Sequence, residues 1–273
     1  MRTLLLALLA VLGLRAESRP QRFVLPNGLT VVLLEAHEHP LVRARMHLSL
    51  GPADRPPGCP DLPERFLRLL DRADRGDRKI WECDRDLEGQ GIQLVPTATP
   101  EGLDWRLLAR SRDQDRSLGL LGDLLLRPIL DPDAWKNPCG ISWDEVQAFS
   151  RKVLRPDRAI LVLQGDLGLE QAKQLALLSL GTWTASPATP TPPPPPAITP
   201  EVQALRALLA IPGEAPRRYQ QEDLDRARRA WVGQQNVLSL DPEAQMAQAL
   251  GQAQGRAPRG DRMNALTLED LNR

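Results

Sequence analysis

The hydrophobic patterning predicts an α+β fold: an antiparallel-rich sheet with helices packed on one side, followed by a reduced, mainly helical second domain. Three observations carry that expectation. Period-two runs gather near the N-terminus and again around residues 92–109. Stretches of helical period lie between and after them. A proline tract from Ser186 to Pro200 then separates this region from a tail in which no strand pattern is found.

The elements follow in order. Phe23-Val24-Leu25 and Leu29-Thr30-Val31-Val32-Leu33-Leu34 flank Pro26-Asn27-Gly28, and Asn-Gly between β-prone runs predicts a tight type I′ hairpin turn. From Val42 to Leu50, Ala44, Met46, Leu48 and Leu50 alternate with Arg43, Arg45, His47 and Ser49, which predicts a strand with one packed and one wet face. Phe66, Leu67, Leu69 and Leu70 mark a helix ending near Gly76, and a second short helix is expected from Ile80 to Leu87. Ile92–Val95 and Leu103–Ala109 form the next strand pair. Gln114 to Leu126 reads as a helix stopped by Pro128. Ser142 and Glu145 form a capping box opening a helix to about Leu154. Ala159–Leu163, apolar throughout, suits a central strand, and a helix from Leu169 to Leu178 follows.

The implied organisation is a leader over 1–16, an α+β domain over 17–184, a linker over 185–199 and a helical domain over 200–273. Arg2 precedes the apolar run Leu4–Leu12, and Ala16 precedes Glu17, the pattern of a secretory signal peptide. The run is too short to span a bilayer. The expected location is therefore exported, periplasmic or secreted, with no stable membrane span in the mature chain. Eight prolines between Ser186 and Pro200, five of them consecutive, predict a stiff extended spacer. Helical stretches are expected at 201–210, 222–232, 242–252 and 267–271.

Composition excludes more than it includes. Lys plus Arg and Asp plus Glu both number 35, so net charge is zero and no nucleic-acid partner is expected. Cys59, Cys83 and Cys139 form no CxxC pair, and their spacing leaves any pairing unreadable; three unpaired cysteines is the default. The three histidines, His37, His39 and His47, show no zinc-hydrolase spacing and read as ordinary polar residues. Nucleophile-elbow, phosphate-loop and dinucleotide motifs are absent, and the acid pairs Asp84/Asp86 and Asp223/Asp225 fit solvated helix faces. From the residues, no catalytic, cofactor-binding or metal-binding position is assigned.

A family resemblance emerges from several of these segments taken together. Phe23-x-Leu25-Pro26-Asn27-Gly28-Leu29-x-Val31-Val32 resembles the opening hairpin of the insulinase/pitrilysin family of zinc peptidases, which includes the mitochondrial processing peptidases. Gly51 followed by Pro56-Pro57-Gly58 resembles the lead-in to that family's catalytic helix. Leu118 to Pro132 is similar to the segment before its distal ligand helix. Phe149 and Arg155-Pro156-Asp157-x-Ala159-x-Leu161-Val162-x-x-Gly165-Asp166 are similar to the strand closing its first domain. Glu222-x-Leu224-x-x-Ala227, and later Leu266-Thr267-x-Glu269-Asp270, resemble helices of its second domain.

The resemblance implies an inverted zinc motif, His-x-x-Glu-His, on the first long helix. Counting from Gly58, that motif falls on Glu64-Arg65-Phe66-Leu67-Arg68. Glu64 and Arg68 stand where histidines would bind metal, and Leu67 stands where the general base would be. Arginine has no available lone pair and leucine cannot accept a proton. The resemblance thus implies a shortened, non-catalytic member. Its expected role is an accessory or peptide-holding subunit beside an active zinc peptidase of the family, holding extended peptide by β-augmentation. The alternatives are a zinc endopeptidase with displaced ligands, drawn from His37, His39 or His47, and a decayed structural remnant without activity.

Overall fold

A computed structural model describes residues 20–136, 138–184 and 241–255, together with part of 220–231. The strands are β1 (Gln21–Val24), β2 (Thr30–Glu35), β3 (Leu41–Ser49), β4 (Asp74–Arg75), β5 (Gln93–Thr99), β6 (Gly102–Arg110), β7 (Pro128–Ile129) and β8 (Ala159–Gly165). The helices are α1 (Leu62–Asp71), α2 (Ile80–Gln90), α3 (Gln114–Leu126), α4 (Trp143–Val153), α5 (Leu169–Leu180) and α6 (Pro242–Ala253). A six-stranded sheet has the order β1-β2-β8-β3-β6-β5, and β4 pairs with β7 in a small ribbon. Only β2 and β8 in the main sheet run parallel, so the α+β expectation of an antiparallel-rich sheet holds.

The unbroken apolar run of β8 has the physical consequence expected of it. Every residue from Ala159 to Gly165 is buried, because the strand sits between β2 and β3 with both faces covered. On one face, Val31, Leu33, Met46, Leu48, Trp105, Leu161 and Leu163 share a core with Phe66, Leu70, Leu118, Leu121, Phe149 and Ala176 from the helices. On the other face, Val32, Leu34, Ile160 and Val162 pack with Met246, Ala249 and Leu250 of α6. The carboxamides of Gln164 and Gln245 join β8 to α6 at 2.6 Å. One tail helix thus lies on the sheet's second face, opposite the main helical layer. The described residues of 221–231 are also helical, with Leu224, Ala227 and Trp231 buried.

Two local expectations need correction. The β1–β2 connection is not a two-residue type I′ turn. The Gly28 amide donates to the Leu25 carbonyl at 2.9 Å, and the Leu25 amide donates to the Leu29 carbonyl at 2.9 Å. Pro26 and Asn27 therefore occupy the centre of the turn, and Gly28 takes the left-handed backbone at φ 92°. Asn27 serves tertiary packing: its Nδ2 donates to the Leu180 carbonyl at 2.7 Å and the Trp183 carbonyl at 3.1 Å, fastening the hairpin to the end of α5.

The second correction concerns β3. Its polar face is not uniformly wet, since His47 is buried and hydrogen-bonds Asp104 directly across on β6 at 3.2 Å. Arg45 Nε donates to the same Asp104 oxygen at 2.9 Å. Burial alone pushes the Asp104 carboxyl up, but the hydrogen bonds from His47 and Arg45 outweigh it and hold it below the usual range. The period-two pattern placed His47 on the right face; contacts distant in sequence decided that this part of the face is dry.

Helices α3 and α5 approach closely at Gly122, where an added Cβ would meet the backbone carbonyl of Ser179. Gly122→Ala is expected to cost roughly 1–3 kcal/mol, because a backbone neighbour cannot rotate away. A denaturant midpoint unchanged from the parent protein would show that the two helices have room to separate. The leader over 1–16, the proline tract over 185–199 and the stretches 201–210 and 267–271 lie outside the described residues.

Candidate functional site

Helix α1 carries the positions where the inverted zinc motif would stand. It starts as expected of its sequence, with Pro63 in its first turn, and buries Leu62, Phe66, Leu67, Leu69 and Leu70. Leu67, at the general-base position, is only 6% exposed and belongs to the core. Arg68 is exposed.

Glu64 already has a cation. Arg55 Nη1 lies 2.9 Å from its Oε1, and the same nitrogen donates to the Pro60 carbonyl at 3.1 Å. Arg55 Nη2 donates to the Thr99 carbonyl at 2.7 Å, tying the lead-in loop, α1 and the end of β5 together. Arg65 is likewise engaged, with Asp61 at 2.8 Å. The motif positions therefore supply ion pairs and core packing, and no pair of imidazoles.

Helix α1 and its lead-in are clamped to α4 and its flanking segments by three different means. Cys59 and Cys139 form a disulfide with a Cα–Cα distance of 5.5 Å. This corrects the default of three unpaired cysteines: two residues 80 apart in sequence are brought together by folding, which spacing does not reveal. Cys83 remains a free, buried thiol, and burial pushes its pKa up. Phe66 of α1 meets Phe149 of α4 edge to face, with centroids 5.2 Å apart.

The third clamp is ionic. Asp54, whose side chain is wholly buried, pairs with Lys152 at 2.7 Å and with Arg158 at 2.5 Å, and accepts from the Gly51 amide at 2.8 Å. Burial would raise its carboxyl, but Arg158, the Gly51 amide and Lys152 together hold it below the usual carboxylate range. The Ser142–Glu145 box caps α4 as the sequence predicts, the Ser142 amide donating to Glu145 Oε2 at 2.8 Å.

Among the described residues, the one group of three potential metal ligands is Cys59, Asp61 and Cys139. Its two sulfurs are joined to each other, so neither is an available thiolate while the disulfide stands. The three histidines do not join that group. His37 and His39 are both exposed, and His37 bridges Asp166 at 2.9 Å and Glu35 at 3.5 Å with opposite ring nitrogens. Those two carboxylates, Asp166 first, raise the His37 pKa. His47 is buried with Asp104 on the sheet.

Beside α1, β5 is the last strand of the sheet. The loop between Thr99 and Gly102 holds only Pro100 and Glu101, so Thr99 and Gly102 form the closing hydrogen-bonded pair. Alternation then turns the backbone groups of Leu94, Pro96 and Ala98 to the free edge. Pro96 has no amide hydrogen, which suits that outward position. The edge therefore offers two amides, at Leu94 and Ala98, and three carbonyls. Val95, 48% exposed, lies on the sheet face opposite α1, the face on which α6 packs further along the sheet. Sequence reasoning found the strand but not its edge position, because strand order depends on the whole topology.

Comparisons with known proteins agree with this architecture. Residues 140–229 match the family profile described as the peptidase M16 inactive domain. No curated protein matches. A protease from Helicobacter pylori superposes with a TM-score of 0.73 at 12% identity, over 93% of this chain and 95% of that one. A peptidase M16 inactive domain from Pseudomonas fluorescens gives 0.68 at 13% identity, over 93% of each chain. The periplasmic protease PqqL from Escherichia coli gives 0.71 at 10% identity, over 93% of this chain but 43% of its own. At such identities the superpositions show the fold, and the profile match extends over residues 140–229. Residues 140–229 are thus similar to the peptidase M16 inactive domain, and Glu64, Leu67 and Arg68 stand where the resemblance of the preceding segments places the His-x-x-Glu-His residues.

Proposed function

We propose that this chain is an accessory, peptide-holding subunit that works beside an active zinc peptidase of its family. The observation that carries the reading is a contrast within one small region. The metal positions on α1 are given over to an Arg55–Glu64 ion pair and a core leucine, yet the adjacent edge of β5 is open among the described residues. A strand edge binds extended peptide through main-chain hydrogen bonds and requires no metal. The leader-like residues 1–16 and the disulfide support an exported protein, as does the periplasmic location of PqqL, a structural relative. Residues 200–273, beyond the proline tract, form a reduced second domain in this reading.

The test is binding of an unstructured fluorescent peptide to the purified chain, with and without Ala98→Pro. That substitution removes one of the two outward amides and is expected to weaken binding by at least about fivefold, one hydrogen bond's worth. A parent protein that binds no peptide, and recovers no M16 peptidase bearing His-x-x-Glu-His from the native envelope, would leave the proposal without support. Fractionation of cells for the mature chain checks the export reading separately.

A further inference from the structure

The side chains flanking the open edge of β5 have a definite electrostatic character. Arg106 lies on β6 directly opposite Val95, is exposed, and reaches over β5 to donate to Thr97 Oγ1 at 3.4 Å. Arg45 faces Arg106 across the β3–β6 pair, and Arg43 lies two residues before it on the same face. The one carboxylate among these residues is Asp104, which Arg45 and His47 already share. Neither Arg43 nor Arg106 has a carboxylate partner among the described residues.

On the helix side of the edge, α1 presents an arginine of the same sign. Glu64 is tied through Arg55 to Thr99 at the end of β5, so that face of α1 looks toward the strand. Arg68 follows four residues later on the same face, exposed and without an ion-pair partner among the described residues. A strand added to β5 would project alternate side chains to the two sides of the sheet, toward Arg68 on one and Arg106 on the other. Acidic side chains would be matched on both sides. Basic ones would face uncompensated arginines, which costs free energy when like charges lie across neighbouring strands.

We infer that the β5 edge selects an extended acidic peptide, its main chain on Leu94, Pro96 and Ala98 and its carboxylates on Arg106 and Arg68. The inference rests on the peptide-holding reading above and adds the chemistry of the peptide. It is tested with three unstructured peptides of equal length in which pairs of Val alternate with pairs of Glu, Gln or Lys, so that both faces of the added strand carry the test residue, titrated onto the full chain at about 0.15 M salt.

The Glu peptide is expected to bind about tenfold tighter than the Lys peptide, from two opposite-charge contacts in place of two like-charge ones. Arg68→Glu with Arg106→Glu is expected to invert that order. Both residues are exposed, and an unchanged thermal midpoint checks that the double variant folds. Equal binding of all three peptides, or an order unaffected by the double substitution, overturns the acidic-peptide inference and leaves the holding reading intact. No binding of any peptide overturns both. Displacement of the Glu peptide by a single-stranded oligonucleotide at the same salt would reassign the arginines to phosphate and overturn the inference as well.

Discussion

Opening the Cys59–Cys139 bond is expected to remove about 4.5 kcal/mol of stability, the loop-closure entropy for an 80-residue separation at 25 °C. The closed loop contains α1, α2, β5, β6 and α3, so it spans much of the helical layer and one edge of the sheet. The bond also fixes the start of α1 against the segment leading to α4. Urea unfolding of the oxidised chain, the reduced chain and a Cys59→Ser/Cys139→Ser variant measures the effect. The reduced chain and the variant should share a lowered midpoint. Coincidence of all three curves would show that the bond contributes nothing, and then the Phe66–Phe149 contact and the Asp54 ion pairs would have to hold the two helices.

Asp54→Ala should be comparably damaging, at roughly 3–5 kcal/mol, because it breaks buried ion pairs and leaves the cations in place. Arg158 would stay near its position, since its guanidinium also donates to the Ser49 carbonyl at 2.7 Å. Asp54→Asn retains the shape and an acceptor for the Gly51 amide, and is expected to lose less. The effect has a definite pH signature. The Asp54 carboxyl titrates lower in the folded chain than in the unfolded one, so its contribution is fully present above the unfolded pKa of about 3.9. It fades as pH falls through the folded value. The gap between parent and Asp54→Ala should therefore be widest near neutrality and close toward low pH. A gap independent of pH would mean that packing around the carboxylate, rather than its charge, carries the loss.

These two clamps also explain which parts of the molecule could be read in advance. The helix from Gln114 to Leu126, the Ser142–Glu145 cap and the central strand beginning at Ala159 follow from local causes: periodicity, a short side chain at the N-cap and a fully apolar run. The absence of a histidine pair on α1 is a fact of residue identity and needs no coordinates. The turn centres on Pro26 and Asn27 rather than on Asn27-Gly28, and the Asn27 amide is committed to carbonyls of Leu180 and Trp183, far away in the chain. The burial of His47 has the same kind of cause, since Asp104 reaches it from a strand that only the sheet order brings alongside.

Residue order by itself determined the class of fold, the zero net charge that argues against nucleic acid, and the absence of a His-x-x-Glu-His sequence. Each depends on side-chain type or near-neighbour spacing, which the chain carries before it folds. Tertiary structure decided the Cys59–Cys139 pairing, the burial of Asp54 between two cations, the placement of α6 on the sheet's second face, and the open arginine-flanked edge of β5. Those depend on groups separated by tens of residues. Their meeting is set by strand order and helix packing, and no local pattern encodes it.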